Sequence, residues 1–188
     1  MMSNKELTSK PAMSKNESNA LKNKKYEIED WEDEHLDLKE PLLRGIYSHG
    51  FEAPSPIQKK CLYPLSRYKE KGEFCDILAQ AQSGTGKTGG FTISALQRIN
   101  ENLKATQSII LAPTHELATQ IKHVIDSIGC YMNIQTKLLI GGTSVEEDRN
   151  YFSNNVPHIV IGTPGRTKDM IERKSLKIKN LTLLVIDE

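Results

Sequence analysis

Long apolar runs are missing from this sequence. No stretch approaches the roughly 18 consecutive residues that a membrane-crossing helix needs, and the first ten residues, MMSNKELTSK, lack the apolar core of a secretory leader. A soluble, intracellular, cytoplasmic protein is expected. Cysteine is also scarce: Cys61, Cys75 and Cys130 are odd in number and far apart, with no C-x-x-C pair and no histidine at metal-binding spacing. This argues against a disulfide framework or a zinc site, and the three are expected to be reduced, buried packing residues. Neither sign of charge dominates, with 25 Lys and Arg against 24 Asp and Glu. That balance excludes a generally basic coat, so any contact with a polynucleotide must be local. There is no internal repeat, and 188 residues leave room for one α/β domain and a tail, not for two full domains.

Residues 1–30 are rich in Lys, Asn, Ser and Glu and poor in bulky apolar groups, so they cannot bury enough surface to offset the entropy of ordering. A disordered tail is expected there. Within 1–25 six lysines stand against two glutamates, an excess that would favour polyanions weakly; a solvated linker is the preferred reading. Beyond it, residues 39–49 put Leu42, Leu43, Ile46 and Tyr47 on one helical face ahead of Gly50. Ser55 and Pro56 suit the N-cap and first position of a helix running to about Leu65. Residues 89–103 read as a helix offering Phe91, Ile93, Leu96 and Ile99 to the core. Ser108–Ala112 reads as a buried strand, Thr114 caps a helix from His115 to about Ile128, and Ile134–Ile140 is a strand. An exposed helix at 145–153, a strand at His158–Ile161, a helix at 165–173 and a strand at Leu181–Ile186 follow. The alternation implies an α/β fold, a mostly parallel sheet with helices on both faces and ligand sites at the carboxyl ends of its strands.

The chemistry gathers at residues 77–88, ILAQAQSGTGKT. An apolar run, Ile77-Leu78-Ala79, read as a strand, breaks into a Gly-rich turn that ends in Gly86-Lys87-Thr88. The spacing is that of a phosphate-binding loop, G-x-x-x-x-G-K-[ST], with Ala81 in place of the first glycine. Gly84 and Gly86 can adopt positive φ, so successive backbone N–H groups can turn inward around phosphate oxygens. The following helix adds its unpaired N–H groups and dipole, Lys87 reaches the outer phosphates, and Thr88 places a hydroxyl on Mg²⁺. About a hundred residues on, Leu181–Ile186 ends in Asp187-Glu188, the place where a fold of this kind holds Mg²⁺ and orients water. Gln58, in the first turn of its helix, has an amide that can pair with the N6 donor and N7 acceptor of adenine; an exposed helical glutamine has the same spacing.

In these stretches the chain closely resembles the first RecA-like domain of DEAD-box RNA helicases, particularly the group around translation initiation factor 4A, from about residue 31 to the last. Five motifs carry the resemblance in family order: GFEAPSPIQ at 50–58, AQSGTGKT at 81–88, PTHELA at 113–118, GG at 141–142 with TPGR at 163–166, and DE at 187–188. The resemblance implies a RecA-like P-loop domain of an ATP-dependent RNA helicase that uses ATP and Mg²⁺. Gln58 and Phe51 would serve the adenine, and Ala81, Gln82, Ser83, Gly84, Thr85, Gly86, Lys87 and Thr88 the phosphates. Thr88 and Asp187 would hold Mg²⁺, while Glu188 would orient or deprotonate the attacking water; Lys87, Asp187 and Glu188 form the implied catalytic set. Pro113, Thr114, His115, Gly142, Thr163, Gly165 and Arg166 would follow the ribose-phosphate backbone of single-stranded RNA. Such contacts position a strand without reading its bases, which reconciles RNA binding with a nearly neutral chain. Scaffold proteins of the initiation-factor type are implied partners.

Departures from the family pattern alter some expectations. His115 stands where the family carries Arg, which makes that contact weaker or pH-dependent. Trp31 lies about two residues too far back for the family's adenine-stacking aromatic, and Asp33 holds the expected place, so either the linker bulges or the stack is lost. The sequence reaches only the first two residues of motif II, so 31–188 is expected to be an incomplete domain of a longer helicase. It should bind adenine nucleotide yet turn over ATP barely above background, because an arginine finger contributes roughly 10³ to 10⁵ in rate. A sheet edge left open invites pairing, and a dimer is one expected outcome. An alternative reading is a non-catalytic P-loop module that binds RNA or docks a scaffold. A GTP switch is disfavoured by the absence of an N-K-x-D guanine motif.

Overall fold

The computed structural model describes residues 27–66 and 76–188. Residues 1–26 of the tail expected at 1–30, and Cys75, lie outside them. In chain order the elements are α1 (Glu40–Ser48), α2 (Pro56–Ser66), α3 (Lys87–Arg98), β1 (Ser108–Leu111), α4 (His115–Ile128), β2 (Thr136–Leu139), α5 (Val145–Asn154), β3 (Ile159–Gly162), α6 (Pro164–Glu172) and β4 (Leu183–Ile186). The strands form one parallel sheet in the order β2-β3-β1-β4. Each strand-to-strand connection passes through a helix, as parallel pairing requires.

Side chains alternate across a strand, so the short apolar strands feed two cores. Ile110, Ile159 and Ile161 face α1, α3 and α4, where Leu42, Ile46, Ile93, Leu96, Ile121 and Ile125 are fully buried. Ile109, Leu139 and Val160 face the other way, against Met170, with Val145 and Phe152 of α5 packed beside them. Each such side chain stabilises the fold by about 1.5–3 kcal/mol relative to exposure. The first helix crosses α4 closely: a Cβ on Gly45 would lie 1.8 Å from the Ile128 carbonyl oxygen. Only a glycine fits that crossing.

Four expectations change. Packing starts before residue 31, because Ile28 and Trp31 are both 1% exposed and the Ile28 N–H donates to the Lys59 carbonyl at 3.0 Å. Ile77-Leu78-Ala79 is not a strand. Leu78 is 99% exposed and, among the described residues, β4 has no neighbour on its outer edge, so no ladder reaches this segment. Cys130 is exposed and Cys61 half-buried rather than both being interior. The helix expected at 89–103 stops at Arg98, where Ile99 turns extended and the Lys39 ammonium caps the Leu96 and Ile99 carbonyls.

Candidate nucleotide and nucleic-acid site

Registration of the four strands brings Leu139, Gly162, Leu111 and Ile186 into one row at their carboxyl ends. The ladder then continues one residue further: Thr163 donates to Leu139, Ala112 to Gly162 and Asp187 to Leu111, at 2.9, 3.0 and 2.9 Å. Gly162 is required in that row, since a Cβ there would sit 2.2 Å from the Leu139 oxygen. The Gly141-Gly142, Thr163–Arg166, Pro113-Thr114 and Asp187-Glu188 turns therefore all open on the same rim. Strand order puts the acid pair at the β4 end, beside the phosphate loop, and the other three turns along β1, β3 and β2.

The phosphate loop has the backbone its glycines permit. Gly84 and Gly86 have φ of +77° and +93°, and Gly86 starts α3 without a side-chain cap, so the first N–H groups of that helix are left for a ligand. The Lys87 ammonium folds into the loop and donates to the Ala81 carbonyl and, at 3.2 Å, to that of Gln82. Thr85 closes the turn with a bond to Gln82 at 2.8 Å. Ser83 is exposed and Thr88 is half-buried as the second residue of α3.

Gln58 is neither exposed nor idle. It is 3% exposed; its amide nitrogen donates to the Gly86 carbonyl at 3.0 Å and its oxygen accepts from the Ser55 N–H at 2.8 Å. The second bond is half of a capping box, with Gln58 at N3 reaching back to the N-cap residue. The Ser55 hydroxyl, expected as the cap, has no partner. Gly89 packs under this pair: a Cβ there would lie 2.7 Å from the Gln58 amide nitrogen and 2.8 Å from the Phe51 ring. Trp31 is interior, and its indole N–H donates to the Phe51 carbonyl at 2.9 Å. Its ring therefore belongs to the core, and its link to the site is that bond.

A cleft of about 430 Å³ joins Gln58, Lys87 and Asp187. Burial pushes the Asp187 carboxyl above the usual aspartate range and the nearby Glu188 charge adds to this, while Lys87 pulls the other way. Among the described residues no cluster of three or more His, Cys, Asp or Glu could hold a metal by itself. One carboxylate and one hydroxyl suit Mg²⁺ nonetheless, because that ion keeps waters and takes its remaining oxygens from phosphates.

Along the rim, Pro113, Thr114 and His115 are exposed, and the Thr114 hydroxyl caps α4 by accepting from the Leu117 N–H at 3.2 Å. The His115 ring lies against Gly141, 3.3 Å from where a Cβ would be. Gly142, with φ +79°, and Gly165 have open space where a side chain would project. Thr163 precedes α6 without capping it. Arg166 differs. Its side chain is 8% exposed and bound inward, to Asp148 at 2.6 Å and to the Thr143 hydroxyl and carbonyl at 2.9 and 2.7 Å. The helix expected to be exposed at 145–153 is largely so, with Asp148 as its buried exception. A signal was present: Val145, Asp148 and Phe152 fall at i, i+3 and i+7, placing the acid in an apolar stripe.

Residues 55–188 match the family model for the DEAD/DEAH box helicase. The chain belongs to the DEAD-box helicases. Its sheet, with helices on both faces, is the RecA-like domain of that family. Over 153 residues it is 52% identical to the ATP-dependent RNA helicase eIF4A of Scheffersomyces stipitis and to that of Candida albicans, covering 81% of this chain and 37% of each relative. Among solved structures, S. cerevisiae Dbp5 bound to RNA and ADP BeF3 aligns with a TM-score of 0.73 and 33% identity, over 81% of this chain and 37% of that one. A DEAD box protein from the hyperthermophile Methanococcus jannaschii aligns with a TM-score of 0.76 and 34% identity, over 86% of this chain and 42% of that one. This DEAD-box chain thus spans little more than a third of the relatives it matches.

Proposed function

We propose that this chain is the nucleotide- and RNA-binding RecA-like unit of an ATP-dependent RNA helicase, with 31–188 as its core. The observation that carries the reading is the cleft in which an uncapped helix N-terminus and Lys87 face Asp187. Phosphates would take the N–H groups of Ser83–Thr88 and displace the Ala81 and Gln82 carbonyls from the Lys87 ammonium, which exchanges one set of oxygen acceptors for another. Thr88 and Asp187 would hold Mg²⁺, which supplies charge neutralisation on the phosphates. Glu188 would then orient or deprotonate water. The Gln58 amide has a further N–H and a further lone pair beyond its two internal bonds, enough to read an adenine edge.

Pro113, Thr114, His115, Gly142, Thr163 and Gly165 offer an open, largely uncharged rim suited to a sugar-phosphate backbone, and the reading takes this as the track for single-stranded RNA. The one arginine lining the cleft among the described residues, Arg98, is bound to the Thr182 carbonyl, so the 188-residue chain should bind nucleotide and hydrolyse it slowly, an arginine finger being worth roughly 10³ to 10⁵ in rate. Scaffold proteins, and a second copy of the chain paired on the outer edge of β4, are the protein partners it would accept. The experiment is direct: measure ADP and GDP melting shifts, oligouridylate affinity and RNA-stimulated ATP turnover for the 188-residue chain alone and fused to the second half of an eIF4A relative. Adenine-selective, RNA-stimulated turnover in the fusion supports the reading. Nucleotide-blind melting, or RNA binding with no hydrolysis in the fusion, would favour the non-catalytic module instead.

A further inference from the structure

The RNA track has one strongly cationic residue that does not face it. Arg166, at the start of α6, is bound to Asp148 of α5 and to both oxygens of Thr143 in the turn after β2. Asp148 is itself 5% exposed in its side chain, and its second oxygen accepts from the Lys137 ammonium of β2 at 2.9 Å. Lys137 also lies over the Tyr151 ring, 4.6 Å from its centre and within cation–π reach. The Thr143 hydroxyl passes the connection on by donating to the Ile140 carbonyl at 3.0 Å. One buried acid thus ties together β2, the 140–143 turn, α5 and the first turn of α6.

We propose that Asp148 is a positioning residue for the nucleic-acid track: through Arg166 it fixes the Gly142 turn against the Thr163–Gly165 turn, and Arg166 is a brace, not a phosphate contact. The proposal rests on the RNA-binding reading for its consequence and on geometry for its substance. Swinging Arg166 outward to a phosphate would break three hydrogen bonds at once and leave a nearly buried carboxylate with Lys137 alone. Such a carboxylate strongly resists losing a partner. Gly142, with φ +79° and open space where a side chain would project, has no side chain of its own to pin the turn. The brace supplies the constraint that the glycine turn lacks.

The two roles for Arg166 predict opposite signs for Asp148→Asn. As a brace, Asp148→Asn and Arg166→Ala should each weaken oligouridylate binding by about tenfold, within the range coupling energies between contacting residues reach, and the double variant should lose less than the product. The slope of log affinity against log salt should stay as in the unmodified chain. As a phosphate contact held back by Asp148, Arg166→Ala would reduce that slope by about 0.7 for a single strand, and Asp148→Asn would tighten binding. That result would overturn the proposal. Thr143→Val, at an exposed turn, removes one arm of the brace without stranding a charge and serves if Asp148→Asn does not fold. Amide exchange of 141–144 and 164–167 in the full 188-residue chain should quicken in both variants, while the ADP melting shift stays unchanged. Unchanged exchange would refute the brace whatever the RNA result. If the unmodified chain binds no RNA but exchange does quicken, the RNA reading falls and the brace stands.

Discussion

Replacing Gln58 by alanine tests the joint between the purine end of the cleft and its phosphate end. Two bonds vanish, one to the Ser55 N–H at 2.8 Å and one to the Gly86 carbonyl at 3.0 Å. The Gly86 oxygen keeps its helical bond from the Gly90 N–H, so its loss is the ordinary net value of one hydrogen bond, about 0.5–1.5 kcal/mol. The Ser55 N–H is stranded, and an unsatisfied buried donor costs about 1–3 kcal/mol. Together Gln58→Ala should destabilise the chain by about 1.5–4.5 kcal/mol, or about 3–18 °C in melting temperature for a domain of this size. Releasing the Gly86 carbonyl also frees the phosphate loop, so ADP affinity should fall along with adenine preference. The assay is thermal melting with ADP and with GDP. The unmodified chain should favour ADP by about five-fold to over a hundred-fold, the equivalent of one mispaired polar edge. A variant that melts within about 1 °C of the parent, or one that loses purine preference with its ADP affinity intact, would refute this coupling.

Lys87→Ala should abolish the melting shifts from both ADP and GDP while leaving the unliganded melt nearly unchanged, since among the described residues the ammonium's hydrogen bonds go to carbonyls of its own loop. Nucleotide binding in the presence of Mg²⁺ should weaken on acidification at a pH above the usual aspartate range, because burial holds the Asp187 carboxyl up; Asp187→Asn should remove that pH step in a titration calorimeter. His158 should make folding acid-sensitive. Burial lowers its pKa from the ordinary 6.5, and its Nδ1 accepts from the Gln135 N–H at 3.0 Å, so the folded ring stays neutral while the unfolded ring takes a proton. Stability should be fully present above pH 6.5 and fall below it by up to about 1.4 kcal/mol per pH unit until the folded pKa is passed; urea melts of His158→Gln should lack that slope. Gly45→Ala should cost about 3 kcal/mol, the upper range for overpacking, because its methyl group would meet the Ile128 carbonyl.

What could be read from the sequence were features written within a few consecutive residues. The glycines at 84 and 86, the Thr114 cap, the apolar strands and the acids after β4 each depend on near neighbours, and their alternation was enough to predict a parallel sheet with its turns on one rim. Long-range pairings were not legible. Arg166 reads as an available cation until Asp148, eighteen residues away, is brought beside it. Nothing near Gln58 in the sequence shows that the Gly86 carbonyl, twenty-eight residues away, takes one of its amide protons. The Ile77-Leu78-Ala79 run has strand composition, but a strand needs a partner's ladder as well as composition, and no described strand lies next to it.

The chain contains one tryptophan, and its place gives the protein a built-in optical gauge. Trp31 is sealed from solvent and hydrogen-bonded to the backbone of Phe51, whose ring packs next to Gly89 below the Gln58 amide. Indole emission from this molecule therefore comes from one spot adjoining the purine end of the cleft, so its wavelength and intensity follow how tightly that region is held without any added dye.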